Sequence, residues 1–452
     1  MRFHNGIENR QGELWVGGVQ AVELARCFGT PLYIYDAATI QSQCDTLMTA
    51  AVDYPSFTPY YASKALPNTA ICKLMVQAGL GIDVASLGEL KVALQAGATK
   101  LILHGVYKPE PYLELGIKNS ALIVIDSLAE IAQVAGIAQR LQQKARVVLR
   151  VNPGVAGDSS HPVTTAGDTK FGIPLWGGGL FTAAAMLPNY PHLQPVGLHC
   201  HVGSQLGDTS IFNVTSRLLL EAVKRFQALG VPLEEINLGG GFGAFYREGV
   251  APASRRLAPF VQEIFSYLAA HCGELSLPLP HLSLELGRSL VAEAAVALYQ
   301  VVAEKTVPWK KISPGTPKEI SAQLLASSGE ELLNYSKYII IDGGLYDNPR
   351  PLLYGSLYDA VLPSRLNDTP VASYTISGMS CETDTIIHQV QLPQVQVGEY
   401  LAIPSAGAYQ VSMASNYQRM PKPAVLLVEQ GEARLIQRRQ SLEEVLAQEV
   451  WL

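Results

Sequence analysis

Between residues 57 and 290, short β-rich runs alternate with longer helical patterns, and this alternation restricts the fold more than any other feature of the chain. The runs are FTPYYASK, GIDVAS, LILHGV, ALIVID, RVVLRVN, VGLHCHVG, EINLGGG and HLSLELG. Between them lie patterns such as NTAICKLMVQAG, LGELKVALQAGA, LAEIAQVAGIAQRLQQ and VTSRLLLEAVKRFQALG, with apolar residues three and four apart and often a glycine near the end. Strands joined through helices run parallel, because each crossover returns the chain to the same end of the sheet. Eight such units in about 230 residues come close to the ~250 residues of a (β/α)₈ barrel. The expectation is a closed barrel over residues 37–290. An open doubly wound sheet stays open as the alternative, since counting strands does not establish closure.

After residue 290 the texture changes. VALYQVVAEKTV, YSKYIIIDGG, VASYTISGMSC, EYLAIP and AVLLVEQGEARLIQ are strand-like, with Gly and Pro between them and few long helices. They suggest a second, mainly β domain built from residues 291–452 and 1–36, with ELWVGG near the start adding a strand. The polar, breaker-rich stretch 308–331 reads as a surface insertion.

Composition excludes several roles. The 452 residues are 48% hydrophobic and 16% charged, enough to bury a large core. A net charge of −6 without a basic block argues against a nucleic-acid partner. No run approaches the ~20 apolar residues of a membrane span, and the opening residues lack the apolar stretch of a secretory signal. The six cysteines show no paired metal spacing and read as reduced thiols. The expectation is a soluble cytoplasmic protein with no membrane association.

Barrels of this type do their chemistry where strands run into the following loops. Lys64 ends the first run, on the period-two face of Tyr60 and Ala62. Asp83 and Ser86 lie near the end of the second, and His201 and Ser204 close the sixth. GGGFG (239–243) follows the seventh, and Glu285 with Arg288 ends the eighth. Each has an ordinary explanation: a solvated lysine, a glycine turn, a salt bridge. HCH at 199–201 sets two histidines on one strand face, but no CxxC or HExxH accompanies it, so no metal is expected. His199 reads as a satisfied core residue and His201 as one facing a ligand. Taken together, the set meets the needs of one cofactor. Lysine can condense with an aldehyde, glycine amides and a serine can hold a phosphate, and a carboxylate can bond a pyridinium nitrogen, which are the attachment points of pyridoxal 5'-phosphate.

These residues sit within GTPLYIYD, YYASKALPN, GIDVASLGEL, RVNPGV, KFGI, GLHCHVGSQ, NLGGGFG, ELGRSLVA, DGGLYDNPRPLLYG, GMSCETDTI and GAYQVSMASNYQRMPKP. In this order and spacing the motifs resemble the barrel-type pyridoxal phosphate decarboxylases of alanine racemase-like fold, and within them the branch that acts on diaminopimelate. The resemblance implies decarboxylation of meso-2,6-diaminopimelate to L-lysine and CO₂, by a homodimer with shared active sites. It implies that Lys64 carries the cofactor's aldehyde, that His201 stacks on its ring, and that Ser204 with Gly239, Gly240 and Gly241 holds its phosphate. Glu285 would pair with the ring nitrogen, with Asp83, Gly287, Arg288 and Tyr409 completing the cofactor set. Arg288, Arg350, Tyr354 and Tyr409 would bind substrate. Cys381 would act as an acid across the dimer interface, with Glu382 reaching the distal ammonium.

Some positions depart from the pattern. Leu286 stands where the family has proline in Glu-Pro-Gly-Arg, Leu87 replaces a small residue, and HGVYK lacks the usual asparagine before its lysine. A decarboxylase of ornithine, arginine or carboxynorspermidine is the alternative. CET in place of Cys-Asp-Gly, and the arginine in DNPRP, favour diaminopimelate. A racemase would set an arginine where Glu285 stands, and a non-catalytic binding protein would be expected to lack Lys64 or the Cys381–Glu382 pair.

Overall fold

The computed structural model describes residues 6–155, 169–247, 257–309, 318 and 334–450. Eight strands follow one another around a closed parallel barrel: β1 (Phe57–Ala62), β2 (Gly81–Val84), β3 (Leu101–Leu103), β4 (Leu122–Ile125), β5 (Ala145–Asn152), β6 (Leu193–His199), β7 (Glu235–Asn237) and β8 (His281–Leu286). Closure is made by β8 pairing with β1, Leu284 opposite Pro59 and Leu286 opposite Tyr61. The open-sheet alternative is thereby excluded.

Alternation along the strands builds two apolar layers. Tyr60, Ile102, Leu122, Val124 and Val148 form a separate cluster. Their sequence neighbours Tyr61, Leu101, Leu103, Ile123, Val147 and Leu149 belong to the main core, with helix residues such as Ile71, Met75, Leu90 and Val134. Each such side chain taken fully out of water contributes roughly 1.5–3 kcal/mol. Helix starts are marked by side-chain caps. Asn68 accepts from the Ala70 amide at 2.9 Å and Ser86 from the Glu89 amide at 3.1 Å. Ser86, grouped by position with the site residues, is therefore a helix cap.

The second sheet is mainly antiparallel. Its order is Thr385–Leu392, Ala372–Gly378, Asn334–Ile341, Ala295–Trp309, Leu32–Asp36, Ala424–Glu429 and Glu432–Gln437, with Tyr400–Pro404 also pairing to Ala295–Trp309. The N-terminal strand that joins it is Leu32–Asp36, not ELWVGG. Glu13–Val16 pairs instead with Ile7–Arg10 and Val19–Gln20 in a three-stranded sheet of its own. Its two-residue turns carry positive φ at Gln11, Gly12, Gly17 and Gly18, so the hairpins close locally before any distant edge is needed. Leu14 and Val16 still pack with Ile34, Leu298 and Leu426 of the larger sheet. The 308–331 stretch lies almost wholly outside the described residues. No helix among the described residues is long and apolar enough to cross a membrane.

Candidate active site

Lys64 does not lie on β1. That strand stops at Ala62, and Ser63–Ala65 form a 3₁₀ turn. Pro67 is the reason: it forces Leu66 into extended geometry (φ −157°), so the chain must bend between strand and helix. Two contacts hold the turn. Ser63 Oγ donates to Glu89 Oε2 at 3.2 Å, and the Tyr409 amide donates to the Ala65 carbonyl at 2.8 Å. The second contact brings the segment after strand Tyr400–Pro404 against the barrel rim. Tyr409 itself has φ +74°, a left-handed conformation that a tyrosine adopts only when its surroundings impose it.

The Lys64 amine lies 3.9 Å from Asp83 Oδ2, with 48% of the lysine side chain accessible and the aspartate almost fully buried. Burial would lower the lysine pKa, but Asp83, Tyr409 and Glu285 together raise it. Burial pushes the Asp83 carboxyl up to about 6 against the opposing pull of His104 and Lys64.

Glu285 ends β8 at the floor of the same cavity. Its Oε1 accepts from His104 Nε2 at 2.9 Å and from Asn237 Nδ2 at 2.8 Å, and His199 Nε2 lies 3.3 Å away. Burial alone would favour the neutral acid, yet the two histidines hold the carboxyl well below its usual range. All three contacts reach one oxygen, which among the described residues leaves Oε2 for a ligand. His199 is therefore part of the site's electrostatics, not a bystander in the core. Leu286 is buried and pairs with Tyr61, so the strand carries Glu285 to its position without the proline.

The glycine loop leaves bare backbone opposite. A Cβ on Gly239 would meet the Cys200 carbonyl at 2.5 Å, one on Gly240 the Glu285 carbonyl at 2.0 Å, and one on Gly241 the Gly203 carbonyl at 2.6 Å. Glycine is the residue this close approach admits. The Gly240 amide donates to His201 Nδ1 at 3.2 Å. Burial, Lys64 and Arg150 keep the His201 ring well below its ordinary pKa, hence uncharged.

Arg288 is buried, yet among the described residues its partners are hydroxyls, Tyr246 at 2.7 Å and Ser204 at 3.0 Å, and its Nε has none. Its guanidinium lies 4.9 Å from the Tyr409 ring, and that of Arg350 lies 5.0 Å from the same ring. Arg350 donates to Ser356 at 3.2 Å, has no partner for its Nε among the described residues, and lies 5.1 Å from the Tyr354 ring. A single cavity is lined by Lys64, His201, Ser204, Gly240, Gly241, Glu285, Gly287, Arg288 and Tyr409. Cys381 and Glu382 do not line it. Both are exposed; Gln418 donates to the Cys381 sulfur at 3.4 Å, and Tyr417 donates to Glu382 at 2.5 Å.

Sequence reasoning missed His104, Asn237 and Arg150. Their signal was available, because each is a polar residue within or just past a barrel strand. Arg150 ends 3.4 Å from Asp126, which belongs to a buried chain with Glu130 and Lys108.

These residues fit pyridoxal phosphate. The glycine cradle has no room for side chains; among the described residues the Arg288 guanidinium has no carboxylate partner and an ionised Glu285 keeps one oxygen free. Barrel, lysine, cradle and carboxylate together define the class of barrel-type pyridoxal-dependent decarboxylases, whose pyridoxal binding domain matches residues 37–292. Diaminopimelate decarboxylase of Bacillus subtilis is 33% identical over 97% of this chain and 95% of its own length. The enzyme of Staphylococcus aureus is 36% identical over 97% and 98%. The solved diaminopimelate decarboxylase of M. jannaschii, in complex with L-lysine, superposes with a TM-score of 0.85 at 29% identity, covering 99% of this chain and 98% of its own. The chain belongs to the diaminopimelate decarboxylase family.

Proposed function

We propose that the protein decarboxylates meso-2,6-diaminopimelate to L-lysine and CO₂, the last step of lysine biosynthesis, as a cytoplasmic homodimer with shared active sites. The observation that carries this reading is the Lys64 amine and the ionised Glu285 carboxylate on one cavity. Bound there, pyridoxal phosphate supplies an electron sink for the pair left behind when the α-carboxylate departs as CO₂.

The chain's own residues do the rest. Lys64 anchors the aldehyde, with Asp83 beside it. Glu285 keeps a proton on the ring nitrogen through its free oxygen, in a site where a fixed charge acts more strongly than in water. The uncharged His201 ring provides a flat wall, and Ser204 with Gly239–Gly241 takes the phosphate. Arg288 and Arg350, both within about 5 Å of the Tyr409 ring, present forked donors for the substrate's carboxylates, a geometry lysine cannot supply. In this reading residues 37–290 bind the cofactor, while 1–36 and 291–452 supply substrate and interface residues.

Cys381 and Glu382 would enter from the second subunit. Cys381 returns a proton to the α-carbon and Glu382 takes the distal ammonium. Support comes from large apolar side chains left exposed near this pair: Met379, two residues before Cys381, and Tyr417, which donates to Glu382.

Lys64→Ala should abolish the covalent cofactor link and turnover. Cofactor trapped on that variant by borohydride refutes the assignment of Lys64. CO₂ release from ornithine but not from meso-diaminopimelate refutes the substrate.

A further inference from the structure

At the end of the barrel opposite Lys64 the strand beginnings surround a second polar cavity of about 430 Å³. Its lining includes Tyr60, Lys100, Arg146, Glu234, Glu235 and His281. Two of these are left incomplete by the fold. Glu235 is 4% exposed. Its Oε1 accepts from Ser283 at 2.8 Å, and its Oε2 keeps only a loose ion pair with the Arg146 guanidinium at 3.8 Å, too long for a hydrogen bond. Tyr60 is 7% exposed, and its hydroxyl has no hydrogen-bond partner among the described residues. That hydroxyl is open to the cavity the residue lines and is free to meet a ligand there. Burial, then Glu235, push this phenol upward, so it is a donor at neutral pH. Its ring packs with Ile102, Leu122, Val124 and Val148.

The charges select a class of ligand. A simple anion would face two glutamates, and a metal cation would face Arg146 and Lys100. A zwitterion with a second amine satisfies both signs. We propose that this cavity is a second binding site, for a small amino acid with a cationic side chain. One ammonium completes the buried Glu235 and the other meets Glu234 at the exposed rim. The carboxylate takes Arg146, Lys100 and the Tyr60 hydroxyl.

Equilibrium dialysis of the holoenzyme with radiolabelled L-lysine tests this. Two sites per chain are expected, one of them the Lys64 cavity. Glu235→Gln should lose the second site. Tyr60→Phe removes only an unpartnered hydroxyl, so folding and turnover persist while that site weakens roughly tenfold, the worth of one hydrogen bond. It therefore keeps the test readable should Glu235→Gln fold poorly. One site in the parent, or a second site that Tyr60→Phe leaves at full affinity, overturns the proposal. The decarboxylase reading is judged separately, by turnover, which neither result moves.

Discussion

Replacing Glu285 with glutamine isolates the charge at the floor of the active site. The amide oxygen can still accept from His104 and Asn237, now at 2.9 and 2.8 Å, and can still face His199 at 3.3 Å, so shape is preserved. What goes is the charge. A hydrogen bond to a charged group contributes roughly 1.5–3 kcal/mol and a neutral one about 0.5–1.5, so each of the two hydrogen bonds, from His104 and Asn237, loses ~1 kcal/mol. Those contacts keep the carboxylate ionised, and the carboxylate in turn keeps the ring nitrogen protonated. About 2 kcal/mol transmitted to the reacting centre corresponds to a fall of roughly 30-fold in kcat. The loss belongs to charge developing during reaction, so KM should change little. Steady-state CO₂ release measures both constants, with circular dichroism confirming the fold and visible absorbance confirming bound cofactor. A variant that folds, binds cofactor and keeps kcat within about fivefold of the parent refutes the role given to Glu285.

Two further outcomes follow from the same geometry. Gly240→Ala places a Cβ 2.0 Å from the Glu285 carbonyl, so both the cradle and β8 must shift; cofactor absorbance on the purified variant should be largely lost. Asp347 is fully buried between Tyr33 and Tyr299, and burial pushes its carboxyl up to about 7. Between about pH 4 and 7 the folded chain then holds a proton that the unfolded chain has released, so this group's contribution to stability falls as pH rises. Asp347→Asn removes that term. The melting temperature of the variant relative to the parent should climb from pH 4 to 7 and level off above; a difference independent of pH refutes the assignment.

The alternation of strands and helices made the barrel readable because periodicity is local. Each run reports its own conformation whatever it later packs against. The same locality made ELWVGG readable as a strand but not its sheet, since the hairpin turns on either side choose its partners. Leu32–Asp36 gave the opposite difficulty: its neighbours in the sheet come from residues 295–309 and 424–429, hundreds of positions away.

The site divides along the same line. Lys64, the glycine loop, Glu285 and Arg288 were legible because each stands in a motif of contiguous residues. His104, Asn237 and His199 were visible as polar residues at barrel strands, but their roles were not, because those roles rest on a shared oxygen of Glu285. Nothing in LILHGV or EINLGGG states that those strands will close on β8. From sequence alone came the list of reactive groups and the end of the barrel where they gather. Only the closed barrel decided which polar neighbours surround each group, and therefore which are charged, because solvation and electrostatics depend on distance in space and not along the chain.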